Sequence, residues 1–259
     1  MKLQLVPARS GLAWVREGLR TFWRQPLAFV GLFFMFMAVV SVATMLPWIG
    51  LPLALVLLPA LTLGMMAATR EAVAGRFPMP WVLFTAFREG KARTIAMLQL
   101  GALYAAGFFG VMGFSALFDG GKFAQVYLLG GSLTPELMNA PGFQAATWAA
   151  TAAYLPLSMM FWHAPALVHW HGVAPVKSLF FSFVACARNF KAFFLYALGW
   201  LTVFIGAGVL AMLISALFGN PGIATVALVP AALMMAAMFF TSMWFTVRDC
   251  FLDEAAGSV

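Results

Sequence analysis

The sequence predicts an all-α fold, a polytopic helical membrane protein with six transmembrane helices arranged as three hairpins. Each hairpin is predicted to follow a cytoplasmic interfacial amphipathic helix. Composition is the first reason: 64% of the 259 residues are hydrophobic and only 9% are charged. Soluble domains are about 45–50% apolar and about 25% charged. So few charges cannot shield so much apolar surface from water, so lipid must surround much of the chain.

Six apolar runs are long enough to cross a hydrocarbon core of about 30 Å. They are Leu27–Trp48, Leu51–Ala68, Thr94–Phe118, Ala146–Val168, Ala192–Leu217 and Ile223–Thr246. A short turn at 48–50 joins the first two runs and another at 219–222 joins the last two, so both pairs are expected to be hairpins. Because Pro47 and Pro52 interrupt the first pair, a single long re-entrant element is the alternative there.

The basic residues predict the orientation. With a cytoplasmic N-terminus, 14 of the 15 Lys and Arg residues lie in cytoplasmic segments and only Lys122 lies outside. Cytoplasmic loops of membrane proteins carry this excess of Lys and Arg. The pattern therefore predicts a multi-pass protein of a bacterial inner membrane with both termini in the cytoplasm. The first apolar run begins near Leu27, behind a long amphipathic segment, and is expected to be a retained span rather than a cleaved signal.

A basic amphipathic segment precedes each pair of runs, starting near Gly11, Pro80 and Pro175. This recurrence predicts three repeat units within one membrane domain, 1–259, at about 10–68, 79–168 and 174–246, with a periplasmic loop at 119–145. Chance recurrence of basic segments before spans is the alternative. In the first segment, Ser10–Arg24, arginines recur every four residues opposite an apolar face, as in helices that lie in the headgroup plane.

The formal net charge of +7 is distributed along the edges of the apolar runs. This placement indicates the anionic headgroups of membrane lipids as partners, and it argues against nucleic acid. The candidates for headgroup contact are Arg16, Arg20, Arg24, Arg88, Lys91, Arg93, Lys177, Arg188 and Lys191. Another membrane protein, or a second copy of the chain, is a further possible partner.

The stretch His163–Phe183, followed by Arg188-Asn-Phe, resembles a phrase found in a broad group of uncharacterised six-span bacterial inner-membrane proteins. The segments Leu5–Arg9 and Gly18–Pro26 resemble one branch of that group, found in β-proteobacteria. The group is remotely similar to the membrane domain attached to some glycerophosphodiester phosphodiesterases. The resemblance implies fold and location but no activity. The phosphodiesterase chemistry is not expected here, because this sequence lacks an attached phosphodiesterase domain.

Three histidines, His163, His169 and His171, are candidates for a metal or haem site. Their spacings of six and two place no pair on one helical face, so such a site needs a bend, which Pro165 could supply. The alternative is that the rings lie at the inner interface, wet on one side. No cofactor is expected, because neither a cysteine motif nor a carboxylate partner accompanies the histidines.

Ionisable groups inside the predicted spans would indicate an ion-coupled carrier, but no Asp or Glu lies within a run. The third and fourth runs contain a few uncharged polar groups, which are more simply explained as hydrogen bonds between helices than as a substrate site. They are Gln99, Tyr104, Ser115, Tyr154 and Ser158. No catalytic constellation is present, so the chain is not expected to be an enzyme.

Two classes of function stay open. The preferred one is a non-enzymatic factor that binds lipid or another membrane protein through its basic, aromatic cytoplasmic face. The alternative is passive or facilitated transport of an apolar or amphipathic small molecule between hairpins, motivated by the prolines that kink every second run. A solid core with an exposed groove would favour the first, and a cavity between the spans would favour the second.

Overall fold

The computed structural model describes residues 2–219 and 221–252, and nearly all of these are helical. In chain order the elements are β1 (Lys2–Leu3), α1 (Ser10–Arg24), α2 (Pro26–Thr44), α3 (Gly50–Val73), a 3-10 helix (Pro80–Phe87), α4 (Lys91–Asp119), α5 (Lys122–Leu129), α6 (Pro135–Asn139), α7 (Pro141–Trp162), α8 (Ala164–His171), α9 (Pro175–Arg188), α10 (Phe190–Leu217), α11 (Pro221–Cys250) and β2 (Phe251–Leu252). The two short strands pair antiparallel and bring the ends of the described chain together.

Five described helices are long and apolar enough to cross a membrane: α2, α3, α4, α10 and the Val226–Cys250 part of α11. The predicted helical membrane fold is therefore confirmed, whereas the count of six spans and the hairpin arrangement are not. Asn220, in the second predicted turn, and residues 253–259 lie outside the described residues.

The fourth predicted run differs from a single span. The structure divides it at His163, which lies between the end of α7 at Trp162 and the start of α8 at Ala164. Pro165 gives the physical reason, because its nitrogen has no hydrogen with which to continue the helical ladder back to Phe161. The remaining piece, α7, is not among the five helices that meet the criteria for a span.

The three amphipathic segments differ in structure. The first forms α1 over the predicted range, and the third forms α9. The second is a short 3-10 helix in place of an amphipathic α-helix, and Gly90, with φ +93°, separates it from α4. Lys91 and Arg93 consequently belong to the first turn of α4 rather than to an interfacial helix. The division into three repeat units stays a prediction.

Helix α3 lies at the centre of the bundle, where it contacts α2, α4, α8, α11 and the 3-10 helix. Helix α1 crosses α10 and α11, and its side chains Trp14 and Phe22 are completely buried. A Cβ atom on Gly18 would lie 2.4 Å from the Cβ atom of Ser242. Only glycine allows this close approach of α1 to α11, which fixes the orientation of α1 on the bundle.

Helices α7 and α10 pack against different partners. Helix α7 packs mainly against α4 and α9, whereas α10 packs mainly against α1 and α11. Because α7 and α10 have different main partners, a space is left between α7 and the α10–α11 pair. Aromatic side chains line that space.

Candidate functional site

A groove along α1 brings four arginine side chains together. We call it the α1 groove, and it encloses about 310 Å³. Its lining residues are Ala13, Arg16, Glu17, Arg20, Thr21, Arg24, Val73, Phe245 and Arg248. Of the nine predicted headgroup contacts, the groove therefore unites three, and it adds Arg248 from α11, which the prediction did not include.

The sequence of α1 explains why its arginines face outward. Positions three and four apart lie on one face of an α-helix, so Trp14, Gly18 and Phe22 dock against the bundle together. Arg16, Arg20 and Arg24 follow the same period on the opposite side and are exposed. Their side chains make no ion pair or hydrogen bond to any residue that the structure describes.

Arg248 differs from these three because it is held in place. Its guanidinium nitrogens lie 2.9 Å from a Glu17 carboxylate oxygen and 2.6 Å from an Asp249 oxygen. The guanidinium carbon also lies 5.0 Å from the centre of the Phe245 ring, a cation–π distance. Asp249 in turn accepts a 2.8 Å hydrogen bond from the Trp14 indole, which ties this end of the groove to the buried face of α1.

The other predicted headgroup contacts divide into two kinds. Five are exposed and lie away from the groove: Arg88, Lys91, Lys177, Arg188 and Lys191. Arg93 is different, since its Nη1 donates to the backbone carbonyls of Val168, at 3.0 Å, and His169. These carbonyls belong to the last turn of α8, which is followed by Gly172 in the left-handed conformation with φ +64°. Arg93 therefore closes a helix end inside the protein.

The three histidines do not form one site. His163 is buried, with its Nδ1 atom 3.7 Å from the sulfur of Cys186. His169 is also buried, and its Nε2 atom lies 3.2 Å from a carboxylate oxygen of Glu89. The interpretation of these two rings as wet interfacial groups is wrong, because both are shielded from solvent. His171 is half-buried.

The chemistry around the histidines gives little support to a metal centre. Within residues 2–219 and 221–252, no three His, Cys, Asp or Glu side chains lie together as a metal ion would require. Burial raises the pKa of the Cys186 thiol, so the thiolate that binds metals is disfavoured. Burial also lowers the pKa of His169, an effect that the neighbouring Glu89 carboxylate opposes.

Asn189 is a positioning residue that the sequence analysis missed. Its Oδ1 atom accepts a 2.9 Å hydrogen bond from the backbone of Val6, and its Nδ2 atom donates to the carbonyls of Gln4 and Ala185. The amide therefore fastens the N-terminal segment to the end of α9. No local signal could have revealed this contact, because Val6 and Asn189 are 183 positions apart.

A central cavity of about 320 Å³ lies between the helices. Its lining residues are Phe36, Leu58, Pro59, Thr62, Tyr104, Tyr154, Ser158, Phe161, Trp162, Pro165, Phe239, Phe240 and Met243. The hydroxyl oxygens of Tyr104 and Tyr154 are 3.1 Å apart and form a hydrogen bond between α4 and α7, as expected, whereas Ser115 and Ser158 donate to carbonyls of their own helices. The same pair is also the polar part of the cavity wall.

A second cavity of about 360 Å³, which we call the aromatic cavity, lies between α7 and the α9–α11 helices. Its lining residues are Leu155, Ser158, Met159, Trp162, Cys186, Phe190, Phe193, Phe194, Tyr196, Ala197, Trp200 and Phe239. Ser158, Trp162 and Phe239 line both cavities, so the two are neighbours. None of the lining residues of either cavity carries a charge.

Comparison with known proteins agrees with this architecture. A protein of Burkholderia thailandensis named "Probable inner membrane protein" is 41% identical to this chain over 255 residues, covering 97% of this chain and 94% of that protein. The chain belongs to the family of that protein. It is therefore an integral, multi-pass protein of a bacterial inner membrane.

No protein-family model matches the chain, and no solved structure matches it. The remote similarity to the membrane domain of glycerophosphodiester phosphodiesterases consequently stays a prediction. The relative's name specifies a location and no activity, so the function of the inner-membrane protein has to be argued from its site.

The role of Arg93 can be tested by removing its charge. We expect Arg93→Gln to lower the free energy of unfolding by about 1.5–3 kcal/mol, the usual contribution of a hydrogen bond to a charged group. Thermal and denaturant unfolding in detergent micelles would measure the loss. Arg88→Gln is the matched control, since it removes an equal charge from an exposed side chain nearby. Equal stability of the two variants would contradict the capping role.

Proposed function

We propose that this inner-membrane protein is a non-enzymatic membrane factor that binds anionic lipid headgroups in the α1 groove. The observation that carries the proposal is the row formed by Arg16, Arg20 and Arg24. These side chains are exposed and have no acidic or hydrogen-bonding partner among the described residues, whereas Arg248, across the groove, is already paired with Glu17 and Asp249. The row therefore keeps its charge available for a ligand outside the protein.

The chemistry of the groove suits a phospholipid. Arginine presents planar N–H donors that match two phosphate oxygens at once. The exposed Val73 adds apolar surface beside the arginines, which fits a headgroup attached to acyl chains better than a free inorganic anion. Each Lys or Arg near an anionic membrane surface contributes about 1 kcal/mol of attraction. Three unpaired arginines on one helix face are thus enough for a clear preference among lipids.

The proposal includes a topology with six spans in three hairpins and both termini in the cytoplasm. Helix α7 would be the remaining span, continued by α8 on the cytoplasmic side. Packing of α2 on α3, α4 on α7 and α10 on α11 supports the hairpins. The strong bias of Lys and Arg supports the orientation, which places the α1 groove at the cytoplasmic leaflet.

Cysteine labelling tests this topology. Trp48→Cys lies in the turn between α2 and α3, at a position that is 98% exposed, and Arg88→Cys follows the 3-10 helix. With a membrane-impermeant maleimide, we expect Trp48→Cys to react in intact cells and Arg88→Cys to react only after permeabilisation. Protein with only its native, buried cysteines gives the background. Labelling of Arg88→Cys in intact cells would overturn the orientation.

Lipid binding is tested with the triple variant Arg16→Gln, Arg20→Gln, Arg24→Gln. We expect its preference for phosphatidylglycerol over phosphatidylcholine to fall about a hundredfold, because three contributions of about 1 kcal/mol are lost. Native mass spectrometry of protein from mixed-lipid nanodiscs would measure the bound lipids, and added salt should weaken wild-type binding.

Lys122→Gln is the control for the triple variant. It removes a positive charge from an exposed residue that the proposed topology places on the opposite side of the membrane. The proposal predicts wild-type lipid selectivity for this variant. If the triple variant and Lys122→Gln select lipids as well as wild type does, the α1 groove is not the headgroup site.

A second candidate function is a passive or facilitated pathway for an apolar or amphipathic small molecule. The two neighbouring cavities favour it, because they place uncharged space between helices where a solid core would leave none. Trp162 and Phe239 separate the cavities, and Ser158 lies at their junction. Any molecule that moves from one cavity to the other has to pass these three side chains.

A flux assay tests the pathway. With a fluorescently labelled diacylglycerol in reconstituted vesicles, we expect protein to raise the rate of transfer between leaflets above that of empty vesicles. Ser158→Phe should return the rate toward the empty-vesicle value by blocking the junction. Ser41→Phe places the same ring at an exposed α2 position that lines neither cavity and should change nothing. A wild-type rate equal to that of empty vesicles removes this candidate.

A further inference from the structure

We infer that the central and aromatic cavities together bind one uncharged amphiphile, an apolar chain that ends in an alcohol or a carbonyl group. The polar end would meet the Tyr104–Tyr154 pair, and the chain would occupy the aromatic cavity. This inference is independent of headgroup binding in the α1 groove. It also holds whether or not the bound molecule crosses the membrane.

The polar end of the site has hydroxyl donors and acceptors that are not used within the protein. The two tyrosine hydroxyls, whose oxygens are 3.1 Å apart, share one hydrogen bond. One O–H donor and several lone pairs of the pair are therefore left for a ligand. Thr62 lines the same cavity, and its hydroxyl has no hydrogen-bond partner among the residues that the structure describes. Polar groups away from water are costly when unpaired. A ligand hydroxyl would complete these bonds by accepting and donating, and a ligand carbonyl oxygen would accept the spare O–H.

The absence of charge around the described cavity walls limits the class of ligand. Neither cavity has a lysine, arginine or carboxylate in its lining. Moving an ionised group into an apolar environment costs far more than moving a hydroxyl unless a counter-ion is present. Fatty-acid anions and phosphate esters are therefore disfavoured, whereas an alcohol, a ketone or a quinone carbonyl fits. Charged headgroups have their own site in the α1 groove.

The aromatic cavity is suited to a hydrocarbon chain. Its walls are almost wholly apolar, with Phe190, Phe193 and Trp200 on the α10 side. Leu155 and Phe194 also line it and are 62% and 57% exposed, so the cavity has an opening on the outer surface of the bundle. That surface faces lipid in a membrane protein, and a chain can enter sideways from the bilayer.

The junction between the cavities is well defined. The Trp162 indole donates a 3.0 Å hydrogen bond to Thr246, which fixes the ring between the two spaces. Phe239 contacts Trp162 edge to face, with ring centres 5.9 Å apart. Ser158 stands beside them and already donates to the Leu155 carbonyl at 2.7 Å, so it can only accept further bonds. A ligand that spans the junction would thus pass one small polar side chain and two fixed rings.

Three probes of equal chain length separate the contributions of head and chain. They are oleyl alcohol, oleate and octadecene, each radiolabelled and titrated against the full-length protein in lipid nanodiscs. We expect saturable binding of oleyl alcohol, with octadecene at least about fivefold weaker because it lacks the head-group hydrogen bond. Oleate should bind more weakly than the alcohol at a pH where its carboxylate is ionised. Equal binding of all three, or no saturable binding of the alcohol, overturns the inference.

Point variants then locate the site. Tyr154→Phe keeps the ring and removes one hydroxyl, so oleyl alcohol should bind about fivefold more weakly while octadecene binding is unchanged. Ala197→Phe fills the aromatic cavity and should weaken both probes. Tyr127→Phe, in exposed α5, and Ala106→Phe, at an exposed α4 position that lines neither cavity, are the matched controls.

The outcomes are distinguishable from those of the α1 groove. The triple arginine variant should bind oleyl alcohol like wild type, and Tyr154→Phe should retain its phosphatidylglycerol preference. Unchanged alcohol binding in both Tyr154→Phe and Ala197→Phe, with the folded state verified by thermal unfolding, would show that the cavities are not the site.

Discussion

The constraint on which this structure depends is that backbone N–H and C=O groups surrounded by lipid must find partners within the protein. Helices meet that need along their length, and hydroxyl groups add to it, as where Thr69 and Thr241 donate to carbonyls one turn earlier. Where a helix ends inside the bundle, another solution is required. At the end of α8 the guanidinium of Arg93 supplies it.

The way in which α1 is held on the bundle explains why it can present a row of unpaired arginines. One face of α1 is anchored by Trp14 and Phe22 and by the close approach at Gly18, so the helix needs no ion pairs along its other face to stay docked. The protein instead uses its acidic side chains near the groove on Arg248. Docking through apolar contacts thus leaves Arg16, Arg20 and Arg24 for a ligand in the membrane surface.

The polar groups of the interior are uncharged, unlike the arginines at the surface of α1. Around the cavities the described polar groups are hydroxyls, the indole N–H groups of Trp162 and Trp200 and the Cys186 thiol, all of which can be buried without the cost of burying charge. Basic side chains lie along α1, near the ends of other helices and outside the helices. The molecule therefore offers two chemically distinct environments, a cationic groove beside the headgroups and an uncharged, aromatic interior open to acyl chains.

The sequence by itself determined the membrane environment, the range of α1 and the apolar runs, because hydrophobic run length and helical period are local properties. Only the tertiary structure decided which arginine is exposed and which one binds backbone carbonyls inside the protein. Arg88 and Arg93 carry the same charge five positions apart, yet one is exposed and the other caps α8. The division of α7 from α8, the Asn189 contacts and the cavities likewise depend on surfaces that meet across many residues. The composition of a segment indicates its secondary structure and its environment, but not which other segment it will contact.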